Sequence, residues 1–303
     1  MTGQAAGRAA AIGLTFALIG AVGFSFKAIL VKLAYRHGVD AETLLALRMA
    51  FSLPFFLIMG VVAARHAAAP LSGRDWGAMA ALGIFGYYLA SYLDFLGLAY
   101  ITAALERLIL FLYPTLVIVL SALFLGKPIT RRMLLALGLS YLGIGLAVGH
   151  DLQVSGELGD VVLGCVLVFG SALSYALYLM GNGQVVGRLG SARVTAYAST
   201  FACAFSLAQF FVMRPLAALD QPWQVHGLAL AMAVFSTVGP VWMVSEAIRR
   251  LGAGPVSLTG TLGPVITLFL GWLLLDEAIG VAQMAGTAMV IAGVVVMARQ
   301  RSA

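Results

Sequence analysis

Polar residues are sparse along this chain and gather in short breaks, leaving ten apolar stretches: 9–33, 43–64, 76–99, 102–124, 132–149, 160–180, 195–213, 227–248, 254–274 and 279–298. Each is close to the roughly 20 residues that an α-helix needs to cross a hydrocarbon core of about 30 Å. In lipid the backbone must satisfy its own N–H and C=O groups, and a helix does so within one segment. The pattern therefore predicts an all-α integral membrane protein with ten transmembrane helices. The breaks leave no room for a soluble domain. The start, MTGQAAGRAAAIGLTFALIG, runs into an apolar stretch too long for a signal h-region with no clear cleavage site after it, so the first helix is expected to be retained.

Two stretches read alike. LFLYPTLVIVLSALFLGKPI and TLGPVITLFLGWLLLDEAIG each carry a proline, and Pro114 and Pro264 stand 150 residues apart. At the same offset Gly20 meets Gly170, Gly77 meets Gly227, Phe85 meets Phe235, Leu112 meets Leu262, Ile129 meets Ile279 and Gly143 meets Gly293. The chain thus reads as two five-helix repeats, residues 1–150 and 151–303. Five is odd, so the second repeat enters from the other side and is inverted relative to the first. Inverted repeats are the geometric basis of alternating access and put the substrate site near the midplane between the halves. A proline removes a backbone hydrogen bond and loosens its helix, so Pro114 and Pro264 read either as hinges or as static kinks.

Composition supports the membrane reading: 62% of residues are hydrophobic and 10% charged, against about 25% charged in soluble domains. The net charge of +6 does not imply nucleic acid, because the basic residues are scattered over short loops. With the N-terminus placed inside, Arg8, Arg65, Arg74, Lys127, Arg131, Arg132, Arg188, Arg193, Arg249, Arg250, Arg299 and Arg301 all fall inside, against Lys32, Arg36 and Arg214 outside. That bias predicts that both termini are cytoplasmic. Cys165 and Cys203 lie in apolar stretches and read as packing residues, not as a disulfide or a metal site.

Ionisable residues inside spans are costly and are functional candidates by default. Lys27, Arg48, Asp94, Glu106 and Arg107 are the clear ones, and counting along the helices puts all five at a similar depth near the outer face. Their partners at the 150-residue offset are Leu177, Ala198, Val244, Val256 and Ser257, none of them charged. Three readings stand side by side: an ion-pair network that pins the first four helices, an outer gate or zwitterion-recognition patch, and proton coupling through Glu106 or Asp94. In the second reading Lys27 faces a carboxylate, and Asp94 or Glu106 faces an ammonium. The midplane holds a different set: Phe24, Tyr87, Tyr88, Tyr113, Tyr175, Tyr178 and Trp242, with Ser91 on the face of Tyr87 and Asp94. Hydroxyl-bearing aromatics suit a pocket for an apolar or aromatic body, and each alone also reads as ordinary packing. No HExxH, Walker A or GxSxG motif is present, and His37, His66, His150 and His226 lie in loops or at helix ends. Neither an enzyme, a cofactor nor a metal is expected.

The five-helix repeats, Arg48 in the second helix, AYITAALERLILFLYPTLVIVLSALFLGKPI and RRLGAGPVSLTGTLGPVITLFLGWLLLDEAIG together resemble the drug/metabolite transporter superfamily over nearly the whole chain. They look like its ten-helix EamA-type exporters, and within these the YddG-type aromatic amino acid exporters of bacterial inner membranes. The resemblance implies a secondary exporter of amino acids with broad specificity, acting in the inner membrane as a monomer or weak dimer. Other small metabolites, drugs or nucleotide-sugar-like solutes are the alternative cargo. The substrate-binding set is then Phe24, Lys27, Tyr87, Tyr88, Ser91, Asp94, Glu106, Tyr113, Tyr175, Tyr178 and Trp242. The family often has Gly-Glu where this chain reads Asp276-Glu277, and the first copy reads Gly126-Lys127. Small four-helix relatives couple protons through a glutamate in helix 1, where this chain carries Lys27.

Overall fold

The computed structural model describes residues 2–65, 70–126, 128–155, 157–251, 256 and 259–298. Lys127, Arg299, Arg301, Ser257 and most of the segment 252–258 lie outside the described residues. The protein is all-helical: α1 (Thr2–Tyr35), α2 (Ala41–Arg65), α3 (Gly73–Leu98), α4 (Ala103–Leu110), α5 (Tyr113–Leu125), α6 (Arg131–Ser155), α7 (Leu158–Leu189) and α8 (Ser191–Met213). After α8 come α9 (Trp223–Ala233, Val234–Val238 and Gly239–Leu251 in one run), α10 (Gly263–Leu275) and α11 (Val281–Ala298). Among the described residues eight helical segments are long and apolar enough to cross a membrane, α4 and α5 together counting as one of them, and Gly263–Leu275 and Val281–Val296 are shorter apolar helices. This is a multi-pass membrane protein. Cys165 and Cys203 are free.

The fourth stretch is not one bent helix. Pro114 offers no N–H to the Leu110 carbonyl, so α4 ends there. Phe111 N–H closes on Arg107 O at 3.1 Å, Leu112 N–H turns back to Ile109 O at 3.0 Å, and α5 restarts with Pro114 in its first turn. A missing N–H costs nothing at that position. α10 opens in the same way, with Pro264 in its first turn and Leu262 N–H on Thr259 O at 3.2 Å. The prolines therefore mark the start of a new helix where the sequence suggested a loosened mid-helix. α5 and α10 also end alike, at Gly126 (φ 62°) and Asp276 (φ 59°). A short polar side chain tolerates the left-handed conformation better than most, which is why the Gly-to-Asp difference leaves the turn intact.

α3 and α9 each contain a π-helical turn, Ile84–Leu89 and Val234–Val238. In α9 the cause is Pro240: Ser236 O cannot receive its usual donor, and Gly239 N–H reaches back to Val234 O instead. In α3 two carbonyls near the widened turn accept from serines of α7: Ser174 Oγ donates to Phe85 O at 2.7 Å and Ser171 Oγ to Ala90 O at 2.7 Å.

Packing divides the helices. α1 packs along α9 and α10, while α7 packs along α3, α4 and α5. α2 pairs with α8, and α6 with α11. The α1 and α9 backbones approach closely: a Cβ on Gly23 would lie 2.6 Å from Phe235 O, so only glycine fits there. The two groups meet at one end of the bundle. α1 touches α3 and α4, and α4 touches α10, whereas α7 makes no comparable contact with α9 or α10 among the described residues.

Candidate functional site

The meeting end, where α1 turns into α2, is tied by polar bonds between elements far apart in sequence. Asp151 accepts from Thr102 N–H (2.9 Å) and Thr102 Oγ1 (2.9 Å), capping α4. Glu277, in the turn after α10, accepts from Ala103 N–H at 2.8 Å. Both carboxylates thus sit on the positive end of one helix dipole. Burial pushes the Glu277 carboxyl above the usual carboxylate range. Arg36 donates to Leu275 O at 2.7 Å, His150 Nε2 bonds Ala278 O at 2.9 Å, and Arg214 pairs with Glu42 at 3.2 Å. At the opposite end, where α1 begins, the long-range ion pair among the described residues joins Arg188 of α7 to Asp75 of α3, within one group.

Just inside the tied end lies the charge cluster. Lys27 Nζ of α1 reaches Asp94 Oδ2 of α3 at 2.5 Å and Glu106 Oε1 of α4 at 3.0 Å. Asp94 is 1% exposed and Glu106 is 0% exposed, and Asp94 Oδ1 and Glu106 Oε2 have no partner. One ammonium therefore holds two buried carboxylates, and it does so across the boundary between the two helix groups. Separating the groups at this end means pulling Lys27 out from between them.

Lys27 is engaged twice, whereas Arg48 Nη1 and Arg107 Nε are buried without a partner among the described residues. Arg48 was passed over in the sequence-derived substrate set, and it is 6% exposed. Its Nε donates to Thr237 Oγ1 at 3.1 Å, its guanidinium lies 5.3 Å from the Phe95 ring centroid, and Nη1 is buried without a partner. The signal in sequence was its position inside a span, which ranked it with the others but did not separate it from them. Arg107 packs its guanidinium against Gly263 of α10, where a Cβ would meet Nη2 at 2.7 Å.

The aromatic set does not converge on one pocket. Tyr87 and Tyr178 share a hydroxyl–hydroxyl bond of 3.0 Å, Tyr178 stacks on Tyr175 at 5.5 Å, and Tyr175 meets Tyr113 edge-on at 5.3 Å. These four form a chain on the α7 side. Tyr88 points elsewhere, to Tyr92 (6.4 Å) and Phe205 (6.1 Å). The expected shared face of Tyr87, Ser91 and Asp94 is also split. The π turn breaks the 3.6-residue register, so Tyr87 meets α7 while Asp94 meets α1. Phe24 and Ser91 are half-buried outside this chain. Trp242 stands apart, 54% exposed, edge-on to Phe16 at 5.5 Å.

Trp242 faces a cavity of about 1170 Å³ at the untied end, lined by Phe55, Met59 and Val62 of α2, Val238 of α9, and Asp75, Arg188 and Arg193 at its mouth. That volume exceeds the roughly 300–1,000 Å³ of ordinary small-molecule sites. The walls are largely apolar and the mouth is charged. Among the described residues no three His, Cys, Asp or Glu side chains are grouped to hold a metal ion.

The family model described as EamA-like transporter family matches twice, over residues 11–149 and 162–299. An uncharacterized transporter of Bacillus subtilis, YcbK, is 33% identical over 286 residues, covering 92% of this chain and 90% of that protein. The pseudopaline exporter CntI of Pseudomonas aeruginosa is 26% identical over 299 residues, covering 95% of this chain and 96% of that protein. A solved crystal structure aligns with a TM-score of 0.61 at 19% identity, over 98% of this chain and 99% of that one, which is a likeness of fold.

Proposed function

The chain belongs to the EamA-like transporter family, a family of transporters and not of enzymes, and we propose that it exports amino acids, aromatic ones among them, across a bacterial inner membrane by alternating access. The observation that carries this reading is the contrast between the two ends. One is tied across the helix groups by Lys27, and the other opens into the apolar cavity. The Lys/Arg bias puts both termini, and so the cavity mouth, in the cytoplasm. A cavity open to the cytoplasm and closed outside is the loading state of an exporter. Export is also the activity named for the Pseudomonas aeruginosa relative.

In this reading residues 1–150 and 151–303 are two inverted five-helix units. The family model matches the chain twice, and the π turns begin at Ile84 and Val234, 150 residues apart. The breaks at Pro114 and Pro264 are the hinges. Trp242 and Phe55 in the cavity support an aromatic cargo of the kind carried by the YddG-type exporters. Proton coupling is the second reading for the far-end cluster, favoured by two carboxylates that share one ammonium. Both are tested by counterflow in proteoliposomes against an amino acid panel, with and without a pH gradient. Accumulation of labelled phenylalanine supports the assignment, and no exchange of any amino acid refutes it. Indifference to the gradient refutes proton coupling alone.

A further inference from the structure

We infer that Arg48 is the anion-binding residue of the cavity, and that the solutes it accepts carry a carboxylate on an apolar body. The inference rests on the transporter reading and adds the chemistry of recognition. A guanidinium offers five N–H donors in a planar fork. Here the Nε edge is committed to Thr237 Oγ1 at 3.1 Å, Nη1 is buried with no partner, and the side chain is 6% exposed. No acid lies within ion-pair distance of it among the described residues; Asp94 faces the same region, and Lys27 holds it through Oδ2. A buried cation without an anion is costly, and a protein keeps one where a ligand completes it.

Position agrees with that role. Arg48, Ser52, Phe55, Met59 and Val62 follow each other at helical spacing along one face of α2, and the last three line the cavity. Arg48 stands at the closed head of that stripe, about 10 Å along the helix from Phe55. A second route leads to the same point: Val238 lines the cavity, and its neighbour Thr237 holds Arg48. The π turn of α9 fixes Thr237, whose Oγ1 donates to Met232 O at 3.0 Å and so presents its lone pair to Arg48. Thr237 belongs to the α1 group and Phe95, under the guanidinium, to the α7 group. A carboxylate bound here would sit on the boundary that must move during transport. The planar fork matches a carboxylate, and the apolar walls match a hydrocarbon or aromatic body.

The test is binding of hydrocinnamate and of its neutral amide, hydrocinnamamide, to the purified full-length protein, read by calorimetry and by intrinsic tryptophan fluorescence. The parent is expected to bind the carboxylate at least about tenfold more tightly than the amide. Arg48→Gln should raise the Kd for hydrocinnamate by about 10- to 100-fold, the loss expected for hydrogen bonds to a charged group. It should leave the amide within about threefold. Thr237→Val keeps the cation but removes its support, and should weaken only the carboxylate, by a smaller factor. It decides the matter if Arg48→Gln does not fold. Equal parent affinity for the two probes overturns the inference, as does parent-like hydrocinnamate binding in the folded variants. Carboxylate-selective binding without phenylalanine counterflow would sink the amino acid reading and leave Arg48 standing.

Discussion

Replacing Lys27 with methionine keeps the volume of the side chain and removes its charge. In the parent, the ammonium lies 2.5 Å from Asp94 and 3.0 Å from Glu106, both essentially inaccessible to solvent. Breaking a buried ion pair by deleting one partner costs about 3–5 kcal/mol, because the other charge stays buried and uncompensated. Two carboxylates depend on this one ammonium, and protonation of either would return part of the cost, so the lower figure is the one to use. About 3 kcal/mol taken from the far-end-closed state is a shift of about two orders of magnitude in population. That is enough to turn a protein 99% closed at this end into one open about half the time. The shift is measurable with single cysteines in a protein whose Cys165 and Cys203 are replaced by alanine. Ala104→Cys reports the far end, where Ala104 is 3% exposed, and Trp242→Cys reports the cavity. In Lys27→Met, labelling from outside at position 104 should rise by roughly 50-fold and labelling from inside at position 242 should fall by about half. Lys27→Arg should keep most of the parent pattern. Parent-like labelling at both sites in a folded Lys27→Met protein would refute the claim that this cluster closes the far end.

Pro114→Ala and Pro264→Ala should each slow exchange between the two states while leaving solute affinity unchanged, read as reduced counterflow Vmax at constant Kd. Equal parent rates in both would show the helix breaks to be static. Arg188→Ala should cost about 1 kcal/mol in thermal stability, since Arg188 is 59% exposed in its side chain and the buried Asp75 keeps its bonds from Ser72 when the arginine is gone. A larger loss would mean that this contact holds the near end together. Gly86→Ala puts a methyl group into the Tyr178 ring, and overpacking of that kind should cost about 1–3 kcal/mol by denaturation in detergent. Glu277→Gln keeps an acceptor for Ala103 N–H but removes the charge at the α4 terminus, and should loosen the far end by about 0.3–1 kcal/mol, seen as a modest rise in labelling at position 104.

Most spans and the clustering of Lys27, Asp94 and Glu106 were legible because they depend on quantities a sequence carries directly: run length and position within a run. The stretches 43–64, 76–99 and 102–124 differ from the helical segments by three residues or fewer at either end. What the sequence hid were changes of register. A π turn is one widened turn, set in α9 by Pro240 and accompanied in α3 by hydroxyl donors from another helix, and periodicity counting steps straight over it. This is why Tyr87 and Asp94 seemed to share a face. The prolines were read correctly as interruptions and incorrectly as mid-helix ones, since the turn at Phe111–Leu112 forms upstream of the residue that causes it. Arg48 was visible as a buried charge. Its lack of an anion was not, because pairing depends on which helices become neighbours.

The two ends differ in chemistry as well as in closure, and this bears on how a cycle could run. At the proposed 150-residue relation, the partners of Lys27, Asp94 and Glu106 are Leu177, Val244 and Val256. In the structure Val244 and Val256 pack with the α1 group and Leu177 with the α7 group, on either side of the open end. Closing the near end would therefore join largely apolar walls, with a driving force that grows with area, beside a mouth that carries Asp75, Arg188 and Arg193. Closing the far end joins three charges whose attraction must exceed their desolvation, and it succeeds only if Lys27 arrives with both carboxylates ready to receive it. A solute that brings its own charge to this boundary competes in the second process and not in the first. Recognition of charged cargo thus belongs with the far-end gate, while the near-end gate responds to the bulk of the cargo body between its apolar faces.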